Sequence, residues 1–184
     1  MIEGNVKDKN NDLLSGVLVE LKDDSFNTII SKLTDKNGYF RIENNNETYA
    51  YLTAVKEYSL NYLEYWCRNI NLNNVYLDIV IDKLEIYNLQ VFDNDDFLII
   101  TFRPMSLIKY QNKESNLCPD ISNIEVFVDG NKTDIMNQSI IKEVVDSYTF
   151  DNIRIKITKG ICWNKIDVKI YDNDDHVGMA SFIK

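Results

Sequence analysis

Three stretches of sequence decide the fold of the first half: IEGNVKD at residues 2–8, LSGVLVEL at residues 14–21 and TDKNGYFRI at residues 34–42. Apolar residues recur at every second position in each stretch, which is typical of strands buried on one face. The polar cluster at residues 9–12 separates the first two stretches and predicts a hairpin loop. The three stretches therefore predict strands of a β-sandwich.

Glycines mark two special positions in these stretches. Gly38 follows Asp35 in a tight turn and is free to take a positive φ before Phe40 and Ile42 return to the core. Gly16 stands at a strand start, where the missing Cβ permits a bulge or a close approach of another backbone. Both glycines are expected to build the sandwich rather than to contact a ligand.

The spacing of these stretches resembles that of the carboxypeptidase regulatory-like domain, a transthyretin-like sandwich of the carbohydrate-binding-like fold. The resemblance covers residues 1–82 and ends with a strand at residues 75–81. It implies a module that carries ligands or partners and performs no catalysis. The zinc site of the metallocarboxypeptidases belongs to a separate domain and is not implied here.

The second half also reads as a run of strands. The predicted strands lie at residues 84–92, 97–102, 124–128, 135–145, 153–157, 166–170 and 177–183. Asp129-Gly130 is a two-residue hairpin signal of the type I′ kind. About seven strands suit an immunoglobulin-like sandwich, and residues 170–178 resemble the last hairpin of bacterial Ig-like domains. The sequence thus predicts an all-β protein of two sandwiches, residues 1–82 and 83–184, touching across a short junction.

Charge and cysteine content narrow the function classes. Acidic residues number 29 and basic residues 20, so the net charge is −9, which disfavours nucleic acid and anionic membranes as partners. No apolar run has the length of a transmembrane helix and no secretory leader is recognisable. Cys67, Cys118 and Cys162 are widely spaced and odd in number, which does not fit a disulfide framework, and they form no CxxC pair; buried free thiols are favoured over an intermolecular bridge. A cell-surface location is implied by the domain type alone.

Two acidic clusters are candidate calcium ligands. Asp93, Asp95 and Asp96 form the first, and Asp172, Asp174 and Asp175 the second. Clustered carboxylates suit a hard cation, but neither cluster fits the twelve-residue calcium loop. The strand order also predicts that the two loops lie at opposite ends of the second sandwich. Plain hairpin turns are therefore the favoured interpretation.

Aromatic residues supply the candidate carbohydrate site. Tyr62, Tyr65 and Trp66 stand at positions i, i+3 and i+4, so a short helix would gather them on one face. Exposed rings would stack on sugars, but the same rings could fill the junction between the two sandwiches, and this second interpretation is favoured. Trp163 lies on a loop between strands, where it either caps the core or stands exposed.

The sequence gives little support for catalysis. His176 is the single histidine, so any Ser-His-Asp or Cys-His site would have to include it. Its acidic turn predicts a solvated surface imidazole. We therefore expect a non-enzymatic interaction or structural module without a cofactor, which binds a protein partner or itself as a subunit or accessory part of a bacterial surface assembly. Carbohydrate binding through the aromatic residues is the alternative.

Overall fold

The computed structural model describes residues 1–43, 48–71, 75–145, 148–160 and 162–184. The protein is all-β. Its strands are β1 Ile2–Lys7, β2 Leu18–Lys22, β3 Thr28–Leu33, β4 Tyr39–Ile42, β5 Thr48–Val55, β6 Tyr65–Asn71, β7 Val75–Val80, β8 Leu84–Asp93, β9 Phe97–Ser106, β10 Ile121–Val128, β11 Asn131–Thr133, β12 Ile135–Val145, β13 Tyr148–Thr158, β14 Lys165–Asp172 and β15 Val177–Ile183. A short helix, α1, spans Leu107–Gln111.

The strands form three sheets, one of which runs through both halves of the chain. The shared sheet has eight strands in the order β11-β10-β14-β15-β6-β5-β2-β3. A three-stranded sheet, β4-β1-β7, and a four-stranded sheet, β12-β13-β9-β8, complete the fold. The shared sheet is continuous because β15, from the end of the chain, pairs in parallel with β6 through Ala180 and Trp66, Ser181 and Cys67, and Phe182 and Arg68.

The two small sheets cover opposite faces of the shared sheet. Along β15, Val177, Met179 and Ile183 belong to a hydrophobic core beneath the three-stranded sheet. Ala180 belongs to a second core beneath the four-stranded sheet. Successive side chains of a strand point to opposite faces, so β15 serves both cores at once and is buried along almost its whole length.

Most of the predicted strands and turns are confirmed. Phe40 and Ile42 are buried and Gly38 has φ +67°. Asp129 and Gly130 have φ +48° and +82° and join β10 to β11, as a type I′ turn requires. The chain passes from β7 to β8 between residues 80 and 84, and Asp82 is held there by the backbone N–H of Val177, 3.0 Å from its Oδ2.

The close backbone approach occurs at Gly4, and no close approach is found at Gly16. A Cβ on Gly4 would lie 2.0 Å from the carbonyl oxygen of Leu77, its parallel partner in β7. Gly16 has open space around its Cβ position and a φ of +72°. Gly16 therefore serves a turn, while Gly4 allows β1 and β7 to pack closely.

The short helix expected around Tyr62, Tyr65 and Trp66 is absent. Tyr65 and Trp66 begin strand β6. Tyr62 precedes this strand and forms an isolated β-bridge with Tyr58. The i, i+3 spacing was misleading because pairing with β5 and β15 extends this segment. Side chains of adjacent strand residues point to opposite faces, so Tyr65 and Trp66 cannot share a surface.

Candidate interaction surface

Tyr65 lies inside the first core. Its side chain is 1% exposed, and its hydroxyl donates to Oγ of Ser181 at 2.7 Å. Ser181 in turn donates to the carboxylate of Asp167. These bonds run from β6 through β15 to β14, so Tyr65 joins strands from both halves of the chain.

Trp66 lies on the opposite face of the shared sheet within a cluster of aromatic rings. Its ring makes edge contacts with Phe26, Tyr51 and Tyr87 at centroid distances of 6.1, 5.9 and 5.8 Å. Phe26 stacks on Tyr51 at 4.8 Å and is 48% exposed. Trp66 itself is half-buried. The cluster combines Tyr51 of β5 and Trp66 of β6, in the shared sheet, with Tyr87 of β8, in the four-stranded sheet.

A buried carboxyl group, Glu85, lies behind this cluster. Glu85 is 2% exposed, and its Oε1 accepts a hydrogen bond from Nε1 of Trp66 at 2.9 Å. Burial raises the pKa of Glu85 to about 7, and the hydrogen bond from Trp66 opposes this shift. Glu85 belongs to β8 and Trp66 to β6, so the pair connects two different sheets.

The remaining aromatic candidates are also packed. Tyr62 is partly buried against the first core. Trp163 is 4% exposed and lies in the second core, with Nε1 donating to Oδ2 of Asp93 at 3.1 Å. Trp163 therefore caps the second core and does not stand exposed. The predicted carbohydrate residues do not form one surface.

Asp93 is engaged by two lysines. Its carboxylate lies 2.6 Å from Nζ of Lys159 and 3.0 Å from Nζ of Lys184. These two lysines, with Trp163, lower the pKa of Asp93 to about 2. Asp95 and Asp96 are exposed in the turn that follows. A cation at this loop would therefore compete with two lysine ammonium groups for Asp93.

The second acidic cluster forms a hydrogen-bonded turn at the opposite end of the β14–β15 hairpin. Oδ1 of Asp172 accepts bonds from the backbone N–H groups of Asp174 and His176 at 3.0 and 2.9 Å. Its Oδ2 lies 3.0 Å from Nδ1 of His176. Ligand atoms of Asp172, Asp174 and His176 lie within 4.8 Å of one another, while Asp175 is exposed with φ +59°. The calcium hypothesis for these aspartates stays a prediction.

The side chain of His176 is 12% exposed. The expectation of a solvated imidazole was wrong because Asp172 holds the ring against the turn. Cys67 and Cys118 are buried and Cys162 is exposed. Burial raises the pKa of both buried thiols, that of Cys118 to about 12, so both are protonated at neutral pH and are poor nucleophiles.

The most prominent surface feature is the outer edge of β12. This strand has 11 residues, ten of them exposed. It is an edge strand because it pairs only with β13 among the described strands. Its exposed apolar side chains include Met136, Ile140, Ile141, Val144 and Val145.

The β12–β13 hairpin extends beyond the sheet to which it belongs. Pairing of β13 with β9 covers only residues 153–158 of β13, whereas pairing with β12 covers residues 148–157. Ile140 and Ile141 are 55% and 54% exposed although adjacent strand residues face opposite sides. The hairpin therefore presents apolar side chains on both of its faces.

Sequence patterns predicted a strand at residues 135–145 but did not assign it to the edge of a sheet. The signal that was available is the pair Ile140-Ile141, which breaks the alternation expected of a strand with one solvated face.

A second, shorter edge lies at the far end of the shared sheet. Among the described strands, β3 pairs only with β2, and it exposes Ile29 and Leu33. Among the helices of the described residues, none has the length and apolar character needed to cross a membrane.

No family model and no curated protein sequence matches this chain. Several solved structures are similar in fold. The major pilin subunit BcpA of Bacillus cereus is 11% identical, with a TM-score of 0.34; the alignment covers 98% of this chain and spans 66% of the pilin. A proposed carbohydrate-binding protein of Bacteroides uniformis is 11% identical, with a TM-score of 0.37 and coverage of 100% and 98%.

A DUF3823 family protein from Bacteroides ovatus is 10% identical, with a TM-score of 0.34, and covers 99% of this chain and 97% of its own. Similarity at this level carries no argument about family or function. The functional conclusion therefore depends on the surface of this chain alone.

Proposed function

We propose that this protein is a non-catalytic interaction module whose partner is a second copy of the same chain, bound along the outer edge of β12. The observation that carries this proposal is the exposed 11-residue edge strand with its apolar side chains. An unpaired strand edge offers a row of N–H and C=O groups to another strand. Natural proteins usually protect such edges, so a long apolar one indicates an interface.

The charge of β12 permits a second copy at this edge. The chain carries a net charge of −9, so two copies repel each other over most of their surface. Strand β12 contains one cation, Lys142, and one anion, Glu143, and is therefore neutral. It offers two copies a long apolar contact with little charge repulsion.

The titratable groups support a non-catalytic function. The buried thiols of Cys67 and Cys118 are held protonated, so neither is an activated nucleophile. We further propose that the chain is a structural subunit or accessory part of a bacterial surface assembly.

We also propose that residues 1–82 form a carboxypeptidase regulatory-like sandwich and residues 83–184 an Ig-like one. The packing of β4-β1-β7 against β3-β2-β5-β6 supports the first. The packing of β12-β13-β9-β8 against β10-β14-β15 supports the second. The shared sheet makes the two sandwiches one mechanical unit.

The test is the molar mass in solution as a function of protein concentration, compared between the wild type and an Ile141→Lys, Val144→Lys double variant. These two side chains are 54% and 71% exposed, so the charges should leave the fold intact. The matched control is Ile29→Lys at the other exposed edge, on β3. Association that the β12 variant abolishes and the control retains indicates a closed dimer through β12.

Loss of association in both variants indicates that β12 of one copy pairs with β3 of the next, which yields open-ended filaments. A wild type that stays monomeric at every concentration contradicts the proposal. So does association that the β12 variant does not weaken.

Carbohydrate binding is the second candidate function, favoured by the half-exposed ring of Phe26 beside Tyr51 and Trp66. A Phe26→Ala variant removes the exposed ring without opening the core. Loss of sugar binding in this variant, with unchanged thermal stability, supports a sugar-stacking surface at Phe26. Absence of sugar binding in the wild type excludes this function.

A further inference from the structure

We propose that a cleft on the outer face of the four-stranded sheet binds an acidic saccharide through Arg154 and Lys156. The cleft includes Asn137 and Ser139 of β12 but lies on the face of the sheet and not along the unpaired backbone edge of that strand, so binding there does not depend on self-association. The cleft has a volume of about 410 Å³. It is lined by Asn94, Phe97, Ile99, Asn137, Ser139, Arg154 and Lys156.

Strand register brings these side chains together. Arg154 and Lys156 are two residues apart on β13, so both point to the same face. Arg154 lies between Ser139 of β12 and Thr101 of β9, and Lys156 lies between Asn137 and Ile99. Cations thus occupy the middle row of the cleft, with neutral polar groups along its β12 side and apolar groups along its β9 side.

The two cations lack carboxylate partners among the described residues. Of the four arginines in the sequence, Arg41 and Arg103 form ion pairs and Arg68 donates to a carbonyl oxygen, whereas Arg154 has no such contact there. Lys156 places Nζ 3.7 Å from the ring centroid of Phe97, a cation–π contact that holds the ammonium over the cleft. Among the residues that the structure describes, no carboxylate lines the cleft, so its local potential favours an anion.

The lining fits a ligand that combines three chemical features. A guanidinium group recognises a planar carboxylate through two parallel hydrogen bonds. The amides of Asn94 and Asn137 and the hydroxyl of Ser139 can donate to and accept from sugar hydroxyls. The apolar side chains of Phe97 and Ile99 suit the C–H face of a pyranose ring. A hexuronate residue carries all three features.

The experiment measures binding of trigalacturonate to the whole protein by isothermal titration calorimetry. Neutral galactotriose tests the carboxylate, a sulfated oligosaccharide of similar charge tests the kind of anion, and a tri-aspartate peptide tests whether charge alone suffices. The variants are Arg154→Gln and Lys156→Gln, with Lys142→Gln as the control cation on neighbouring β12 outside the cleft. Thermal melts verify that each variant is folded.

We expect trigalacturonate to bind, galactotriose and the peptide to bind much more weakly, and Arg154→Gln to weaken binding by about tenfold or more, as loss of a charge-assisted hydrogen bond predicts. Tighter binding of the sulfated sugar would support an acidic-saccharide site in this cleft, with a sulfate group rather than a carboxylate as the preferred anion. Equal binding of the peptide, equal loss in Lys142→Gln, or absence of binding by both acidic sugars overturns the proposal.

Discussion

Trp66 donates a hydrogen bond from Nε1 to Oε1 of Glu85 across 2.9 Å, and this contact joins the shared sheet to the four-stranded sheet. Glu85 is almost fully buried. A carboxyl group in this position resists ionisation, so the stability of the junction depends on pH.

The substitution Glu85→Gln should make the protein less sensitive to pH. Burial raises the pKa of Glu85 from 4.5 to about 7 in the folded state. The neutral carboxyl therefore favours folding at low pH, and this contribution is lost as the pH rises from the unfolded pKa through the folded one. Relative to the wild type, the variant should gain on the order of 3 kcal/mol in unfolding free energy between about pH 4 and pH 8.

Urea denaturation of both proteins across this range measures the difference. Glu64 is close to Glu85 and its pKa is also raised, chiefly by burial, so Glu64→Gln serves as the comparison. A difference between Glu85→Gln and the wild type that does not change with pH would show that the pKa of Glu85 is the same in the folded and unfolded states.

Replacing Tyr65 should destabilise the fold rather than remove a ligand contact. Tyr65→Ala deletes a buried ring and is expected to cost about 3–5 kcal/mol. Tyr65→Phe keeps the ring but removes the donor to Ser181, with an expected cost of about 1–2 kcal/mol. Tyr76→Ala, at a tyrosine that is 51% exposed on β7, is the control. Thermal unfolding that ranks the variants otherwise would contradict the buried position of Tyr65.

Gly4→Ala should be far more damaging than Gly16→Ala. A Cβ at Gly4 would clash with the backbone of Leu77, and strand β1 would have to move, at a cost of about 3 kcal/mol or more. At Gly16 only the positive φ opposes a side chain, at a cost of about 1 kcal/mol. Comparable melting temperatures of the two variants would exclude the close contact of β1 with β7.

Calcium should not raise the melting temperature of the wild type. Two lysines neutralise Asp93, and the turn of residues 172–176 uses both oxygens of Asp172. Asp172→Ala should lower stability with or without calcium because it removes the acceptor for the backbone N–H groups of Asp174 and His176. Calcium-dependent stabilisation that Asp172→Ala abolishes would establish a metal site at this turn.

Local pattern predicted the strands well because alternation and turn residues are properties of short segments. Residues 34–42 and the Asp129-Gly130 turn folded as expected for that reason. The pairing of β15 with β6 could not be predicted, since it joins residues more than a hundred positions apart. That pairing decides whether Tyr65 and Trp66 share a surface, and it places them on opposite faces.

Site residues were harder to predict because exposure depends on strand order. Trp163 was recognised as a loop residue, but its burial follows from contacts with Asp93 and Phe182. Strand β12 is a surface because no described strand covers its outer edge, and that position depends on strand order. In the sequence, Arg154 and Lys156 are the polar residues of the alternating strand at residues 153–157, and only the register with β12 and β9 places them in a cleft.

Self-association through β12 is the central claim, and light scattering coupled to size exclusion tests it most directly. The molar mass of the wild type should rise above 21.5 kDa with increasing protein concentration. The Ile141→Lys, Val144→Lys variant should remain at the mass of one chain throughout. A wild-type mass of one chain at every concentration would contradict the claim.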